Sequence, residues 1–166
     1  MKSLMGVIDK AYALFQRATS SLQAPLLLAV RVYWGWQFHT TGMGKLHNIQ
    51  HVVEFFTSLN IPAPVLNAYF VAGLEFVGGL MLILGLGGRL IALPLTIDMV
   101  VAYLTADREA LGAIFSDPAK FYNADPFTFL AASLIVLVWG SGYFSLDHVI
   151  GWYRGRGRST ETAPAA

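Results

Sequence analysis

The stretch YFVAGLEFVGGLMLILGLGGRL, residues 69–90, is apolar over a length that can cross a lipid bilayer, yet it carries a glutamate near its centre. A spanning helix needs about 20 apolar residues. A lone central charge costs about 2.5–3.5 kcal/mol on insertion scales, so Glu75 needs a partner or a function. Ala68, Ala72 and Gly79 share its helical face and permit close packing, so we expect Glu75 to face the inside of a helix bundle.

Three other segments of the chain are also long and apolar enough to be considered as spans. The four predicted spans are residues 24–44, 66–86, 90–106 and 126–146. Hydrophobic residues make up 55% of the chain and charged residues 13%, whereas a soluble domain carries about a quarter charged residues. A soluble bundle would also need polar helix faces, which these segments lack. The sequence therefore predicts an all-α integral membrane protein, a four-helix bundle.

The two ends of the chain differ in character from this membrane domain, residues 24–150. Apolar residues of the N-terminal segment fall on one helical face: Leu4, Ile8, Ala11 and Phe15. This pattern predicts a short amphipathic helix over residues 1–23 that lies at the membrane interface. Early charges and the lack of a small-residue cleavage site argue against a secretory signal. Residues 151–166 are small, polar and basic, which predicts a disordered tail.

The distribution of basic residues predicts the orientation of the bundle. Seven basic residues lie at the termini or in the turn between the second and third spans: Lys2, Lys10, Arg17, Arg89, Arg154, Arg156 and Arg158. The two other loops hold three: Lys45, Arg108 and Lys120. Because loops rich in Lys and Arg stay in the cytoplasm, both termini are predicted to be cytoplasmic. The expected location is a membrane, crossed several times.

Three ionisable residues lie within the predicted spans and are the candidate catalytic residues: Arg31, Glu75 and Asp98. Measured from the predicted cytoplasmic span ends, their depths agree within roughly 6 Å, so Arg31 is expected to bridge both carboxylates. One carboxylate would then hold a proton at neutral pH, and we expect Glu75, the more remote, to be that group. The alternative is a structural polar clasp that fixes helix register.

His39 lies on the face of Arg31, and Arg31, His39 and Glu75 are the candidate cofactor-binding residues. A structural histidine is the alternative. Haem is not expected, since no second intramembrane histidine is available as an axial ligand. The chain has no cysteine, which excludes disulfides and Fe–S ligation, and it has no nucleotide motif. A net charge of +1 gives no indication of nucleic-acid binding.

Two outer loops, residues 45–65 and 107–125, are candidate docking surfaces for a partner protein. In the first, His47, His51 and Glu54 have a spacing that could place metal ligands on one helical face. An amphipathic surface helix explains the same spacing, and we expect no metal site. The sequence leaves the oligomeric state open.

Several motifs, taken together, resemble the DoxX family of small bacterial membrane proteins. They are RVYWGWQFHTTGMGKL in the first span, NIPAP before the second, LEFVGGLMLILGLGGRLIAL, DMVVAY and GSGYFSLDHVI. The match covers roughly residues 24–150 in order. The family-like positions are Arg31, Gly44, Lys45, Glu75, Gly79, Arg89, Asp98 and Asp147.

The resemblance implies a four-helix inner-membrane protein linked to quinone-dependent redox chemistry, with quinone as the expected cofactor. A buried carboxylate beside an arginine could supply a proton to a quinone, whereas the electrons must come from a partner or a free reductant. Two alternatives remain open at this point. One is a non-catalytic scaffold or assembly subunit, and the other is a small proton-coupled carrier.

Overall fold

The computed structural model describes residues 2–161 of the chain, and side chains for residues 8–155. Its helices are α1 (Lys2–His47), α2 (Ile49–Ser58), α3 (Pro64–Leu84), α4 (Gly88–Thr105), α5 (Arg108–Gly112), α6 (Pro118–Tyr122), α7 (Pro126–Trp139) and α8 (Leu146–Glu161). No strand occurs between residues 2 and 161. The all-α prediction is therefore confirmed.

The first helix is much longer than a single membrane span. It runs without interruption for 46 residues and passes through Pro25, a length of about 69 Å at the helical rise of 1.5 Å per residue. The predicted boundary between residues 23 and 24 is thus not a break in the helix, which corrects the sequence-based division. Neither a glycine nor any other terminating residue lies between Arg17 and Pro25, so the helix has no cause to end there.

Two helices in the described part of the chain are long and apolar enough to cross a membrane, namely α3 and α4. The helix α7 is equally apolar but has 14 residues, from Pro126 to Trp139. The predicted span 126–146 is therefore too long at its C-terminal end. Gly140 has φ 78°, a left-handed conformation that ends the helix, and the chain then turns through Gly142.

The close contact between α1 and α3 fixes the register of the two antiparallel helices. A Cβ atom on Gly79 would overlap the backbone of His39, and one on Gly42 would overlap the backbone of Phe76. Only glycine permits this approach, in the manner of small-residue contacts between membrane helices. Glu75 and the small residues of its face, Ala68 and Ala72, are buried, as the sequence predicts.

A tight turn between α3 and α4 returns the chain alongside α3, and α7 then packs against α4. Gly85 and Gly87 both take left-handed conformations, with φ 65° and 58°. The amide of Leu86 donates to the carbonyl of Met81, which closes the end of α3. The buried core between these helices consists of Phe38, Leu82, Ala92, Leu95, Met99 and Val136.

The peripheral helices lie at opposite ends of this core. At the end where α1 stops, α2 packs mainly on α3 and buries none of its residues fully. At the other end, α8 continues the chain to Glu161. The predicted disordered tail is thus wrong for residues 151–161, whose backbone is helical. Residues 162–166 lie outside the described part of the chain.

Candidate functional site

Glu75 forms a buried ion pair with Lys45, a residue that was not among the predicted site residues. The ammonium Nζ of Lys45 donates to Oε1 of Glu75 at 2.6 Å. The carboxylate side chain is 3% exposed and the lysine side chain 33% exposed. The second oxygen of Glu75, Oε2, is buried and has no hydrogen-bond partner among the described residues. Lys45 therefore satisfies one oxygen of this carboxylate, and the hydroxyl of Thr41 lies close to the carboxylate but donates to the carbonyls of Gln37 and Phe38.

Asp98 brings a second carboxylate to the same place from α4. It lies close enough to Glu75 and Lys45 to interact electrostatically with both. Its Oδ2 atom is likewise buried without a partner in the described structure. Buried polar atoms in proteins are nearly always hydrogen-bonded. Two buried carboxylate oxygens without partners in the described structure make this place the candidate binding site.

Both carboxylates line a cavity of about 710 Å³ at the end of the bundle where α1 stops. Ligand cavities for drug-sized molecules commonly measure about 300–1,000 Å³. Apart from Lys45, Glu75 and Asp98, its wall consists of His51, Val52, Phe55, Phe56, Leu59, Asn60, Ile61, Pro62, Asn67, Val71, Met99, Val101, Ala102, Thr105, Ala106 and Arg108. The wall is thus apolar and aromatic, with a few polar groups. The helix α2 forms one side of it.

Arg31 does not take part in this site, and the predicted bridge from Arg31 to both carboxylates is wrong. Arg31 is 1% exposed and donates through Nη2 to the carbonyl of Phe144. It packs against Gly85 at the end of α3, about ten residues of helix from Glu75. Its Nε and Nη1 atoms have no hydrogen-bond partner among the described residues.

The reason for this error is the register of α1 and α3. The predicted spans place residues 24 and 86 at the same level, which would set Arg31 opposite Gly79, whereas the structure places Arg31 beside Gly85. The difference is about six residues, or about 9 Å of helix. The same shift brings Lys45 to the level of Glu75.

Asp147 holds the opposite end of the bundle together. Its carboxylate accepts from the amides of Gly87 and Gly88 at 2.7 and 3.0 Å and from Oγ of Ser141 at 2.7 Å. Burial alone would raise the pKa of Asp147, but these hydrogen bonds and the nearby Arg31 lower it below its ordinary value. A carboxylate on these amides also complements the dipole of α4. This arrangement is a structural clasp between α8 and α4.

His39 is buried beside Phe76, away from the cavity wall. Its Nδ1 lies 3.0 Å from the carbonyl oxygen of Phe76, and the two rings are 4.4 Å apart. These contacts fix the ring at the α1–α3 interface. The structure therefore does not bring His39 together with Asp98 and Lys45, and it gives His39 the structural surroundings that the sequence left as the alternative.

The three residues with metal-ligand spacing in the first outer loop are divided among different surroundings. His47 ends α1 and contacts the carbonyl of Met43, whereas Glu54 accepts from Gln50. His51 lines the cavity. No group of three His, Asp or Glu side chains suited to a metal ion occurs in the described part of the chain.

Lys45 could have been recognised from the sequence by its place in the Gly-Lys-Leu ending of the first span. It sits next to the polar boundary of that span, where a lysine is ordinarily explained as an interfacial anchor. Sequence alone did not reveal that its stem reaches back toward Glu75. The one sequence feature that points to Lys45 is its place in a motif that resembles the DoxX family.

Comparison with known proteins finds a matching family model and similar proteins. The DoxX family model matches residues 26–108, half of the chain. The chain is 28% identical over 120 residues to "Putative oxidoreductase CatD" of Bacillus subtilis, covering 72% of this chain and 83% of that protein. It is 29% identical over 155 residues to "Uncharacterized membrane protein Rv3486" of Mycobacterium tuberculosis, covering 86% and 92%.

No solved structure matches the chain. The matched region 26–108 contains Lys45, Glu75 and Asp98, so all three residues of the cavity site fall within it. The family match, the membrane-protein relative and the two apolar helices together identify a membrane protein. The chain belongs to the DoxX family.

Proposed function

We propose that the protein is a multi-pass component of a quinone-linked oxidoreductase system in a bacterial inner membrane, with the cavity at Lys45, Glu75 and Asp98 as its quinone site. One observation carries the proposal, namely two buried carboxylates with unpartnered oxygens at an apolar, ring-sized cavity. The relative from Bacillus subtilis bears an oxidoreductase name, which supports the redox assignment.

The proposed topology has four spans, formed by the C-terminal half of α1 and by α3, α4 and α7, with both termini in the cytoplasm. The apolar composition of these helices supports it. The cavity then lies toward the outer face, since it is built from the C-terminal end of α1 and the N-terminal end of α3. Residues 45–65 and 107–125 both contribute to its wall. These loops are therefore the proposed docking surface for a redox partner.

Reduction of a quinone to a hydroquinone takes up two electrons and two protons, one proton at each carbonyl oxygen. Lys45 donates to Glu75, and the proposed state of this pair is an ammonium beside a carboxylate. Asp98 has no such cation bonded to it among the described residues. Asp98 rather than Glu75 is thus the proposed proton donor to the nearer quinone oxygen, which revises the expectation from sequence. The second proton comes from water at the cavity mouth.

The electrons must come from outside this chain. The sequence holds no cysteine for a dithiol or an Fe–S cluster. A reduced redox centre on a partner protein, docked on the outer loops beside the cavity, is the proposed source. A dissolved reductant that reaches the cavity mouth would serve the same purpose.

Purification in mild detergent, followed by mass spectrometry of bound proteins and extracted lipids, tests the proposal. We expect quinone to copurify with the wild type and to be strongly depleted in Asp98→Asn. Asp9→Asn is the matched control, because Asp9 is exposed and lies outside both the cavity and the proposed docking loops. A stoichiometric protein partner with no quinone would contradict the proposal and favour the scaffold alternative.

A further inference from the structure

The charges on the cavity wall favour a neutral ligand. Lys45 pairs with Glu75 and Arg108 is exposed, so the buried wall carries no unpaired charge when Asp98 holds the proton that it is proposed to donate. A charged ligand would add a charge without a partner to the cavity, and it would also lose its hydration in apolar surroundings. The remaining wall is mostly aliphatic and aromatic, including Phe55 and Phe56. A neutral ring compound matches both properties.

The hydrogen-bonding atoms that are buried at the cavity without a partner are both carboxylate oxygens, Oε2 of Glu75 and Oδ2 of Asp98, and no donor atom of the described wall is in that state. The two cationic donors on the wall, by contrast, already have partners. Lys45 already donates to Glu75 and keeps a third of its side chain exposed, and Arg108 is exposed and donates to the carbonyl of Leu104.

The unpartnered Oε2 atom of Glu75 determines whether the oxidised or the reduced form of a quinone satisfies the hydrogen bonding of the cavity. Lys45 donates to Oε1, and where Glu75 is paired with it as a carboxylate, Oε2 can only accept a hydrogen bond. A hydroxyl group donates to it, whereas a quinone carbonyl also only accepts and would leave it unsatisfied. A buried acceptor left without a donor weakens binding considerably.

From this geometry we infer that the cavity preferentially binds the hydroquinone form, with one ring hydroxyl donating to Oε2 of Glu75. The inference rests on the proposed function and specifies the redox state that the same site selects. A site that binds the reduced form more tightly makes the bound quinone easier to reduce. The carboxylate pair would thus favour transfer of electrons into the bound quinone.

Anaerobic titration calorimetry of the full chain in detergent tests this inference with three ring compounds of similar shape. The probes are 2,3-dimethyl-1,4-benzoquinone, its hydroquinone and the dimethyl ether of that hydroquinone, which lacks the hydroxyl hydrogens. We expect the hydroquinone to bind about tenfold or more tightly than the other two, the effect of one hydrogen bond to a charged group. Equal binding of hydroquinone and dimethyl ether would overturn the inference.

A substitution at the decisive oxygen gives a second readout. Glu75→Gln can keep an oxygen for Lys45 and turns an amide donor toward the cavity, so the preference should shift to the quinone. The control Asp9→Asn, at an exposed residue outside the cavity, should bind all three probes as the wild type does. If the quinone binds as tightly as the hydroquinone, this inference fails and the quinone site stands. If none of the three probes binds, the proposed function fails as well.

Discussion

At the scale of single residues, the pairing of Lys45 with Glu75 is the feature that defines the site. Lys45→Gln should destabilise the protein by about 3 kcal/mol, because it strands a buried carboxylate. This value lies at the low end of the destabilisation that follows when one partner of a buried ion pair is removed, because Lys45 keeps 33% of its side chain exposed. Denaturation in mixed micelles would measure the loss. Adding Glu75→Gln should recover part of it, and strictly additive losses would contradict the pairing.

Asp147 makes a separate prediction about acid stability. Its pKa is lowered in the folded protein, so it contributes stability above its unfolded pKa and loses that contribution as the pH falls through the lowered value. Asp147→Asn should therefore cost about 1–2 kcal/mol at neutral pH, as for the loss of a helix cap. The difference between the two proteins should shrink below about pH 4. A difference independent of pH would contradict the clasp.

The residues of the candidate site show what the sequence could and could not predict at this scale. Glu75 is buried on a small-residue face, which periodicity alone predicts. Its partner depends on the register between α1 and α3, and that register follows from contacts at Gly42 and Gly79. Such contacts involve residues distant in sequence. The predicted span boundaries therefore led to Arg31, rather than Lys45, as the expected partner of Glu75.

At the scale of helices, the glycines of α3 allow a matched test of the α1–α3 contact. Gly79→Ala would push a methyl group into the backbone of His39 and should destabilise by about 1–3 kcal/mol. Gly73→Ala, in the same helix, meets no atom within 4 Å and should stabilise by about 0.5–1 kcal/mol. Thermal unfolding of both variants would measure the two shifts. Equal effects would contradict the proposed register.

Helix types were easier to predict than helix ends. The starts of α3, α4 and α7 fall within two residues of the predicted spans, at positions marked by proline or glycine. The C-terminal end of α7 was missed because residues 140–146 contain no charge, although the glycines there end the helix. The single helix of residues 2–47 was missed because a change in composition at residue 23 did not coincide with a terminating residue.

At the scale of the whole molecule, the four-span topology with cytoplasmic termini is open to a direct test. Reporter fusions after residue 155 and within residues 113–117 should report opposite sides of the membrane, since one lies in α8, after the last proposed span, and the other lies between α5 and α6. The excess of basic residues near the termini favours the cytoplasm for the first fusion. A fusion after residue 155 on the outer side would reverse the orientation of the cavity.

The central claim is that the cavity at Lys45, Glu75 and Asp98 holds the quinone, and photoaffinity labelling tests it most directly. A photoreactive quinone is cross-linked to the protein in membrane vesicles, and the labelled residues are mapped by mass spectrometry. We predict labels on the cavity wall, in residues 52–62 of the first outer loop and residues 98–106 of α4. Excess unlabelled quinone should suppress them. The claim would be contradicted by labels confined to the end of the bundle around Arg31 and Asp147. It would also be contradicted by labels that excess unlabelled quinone does not suppress.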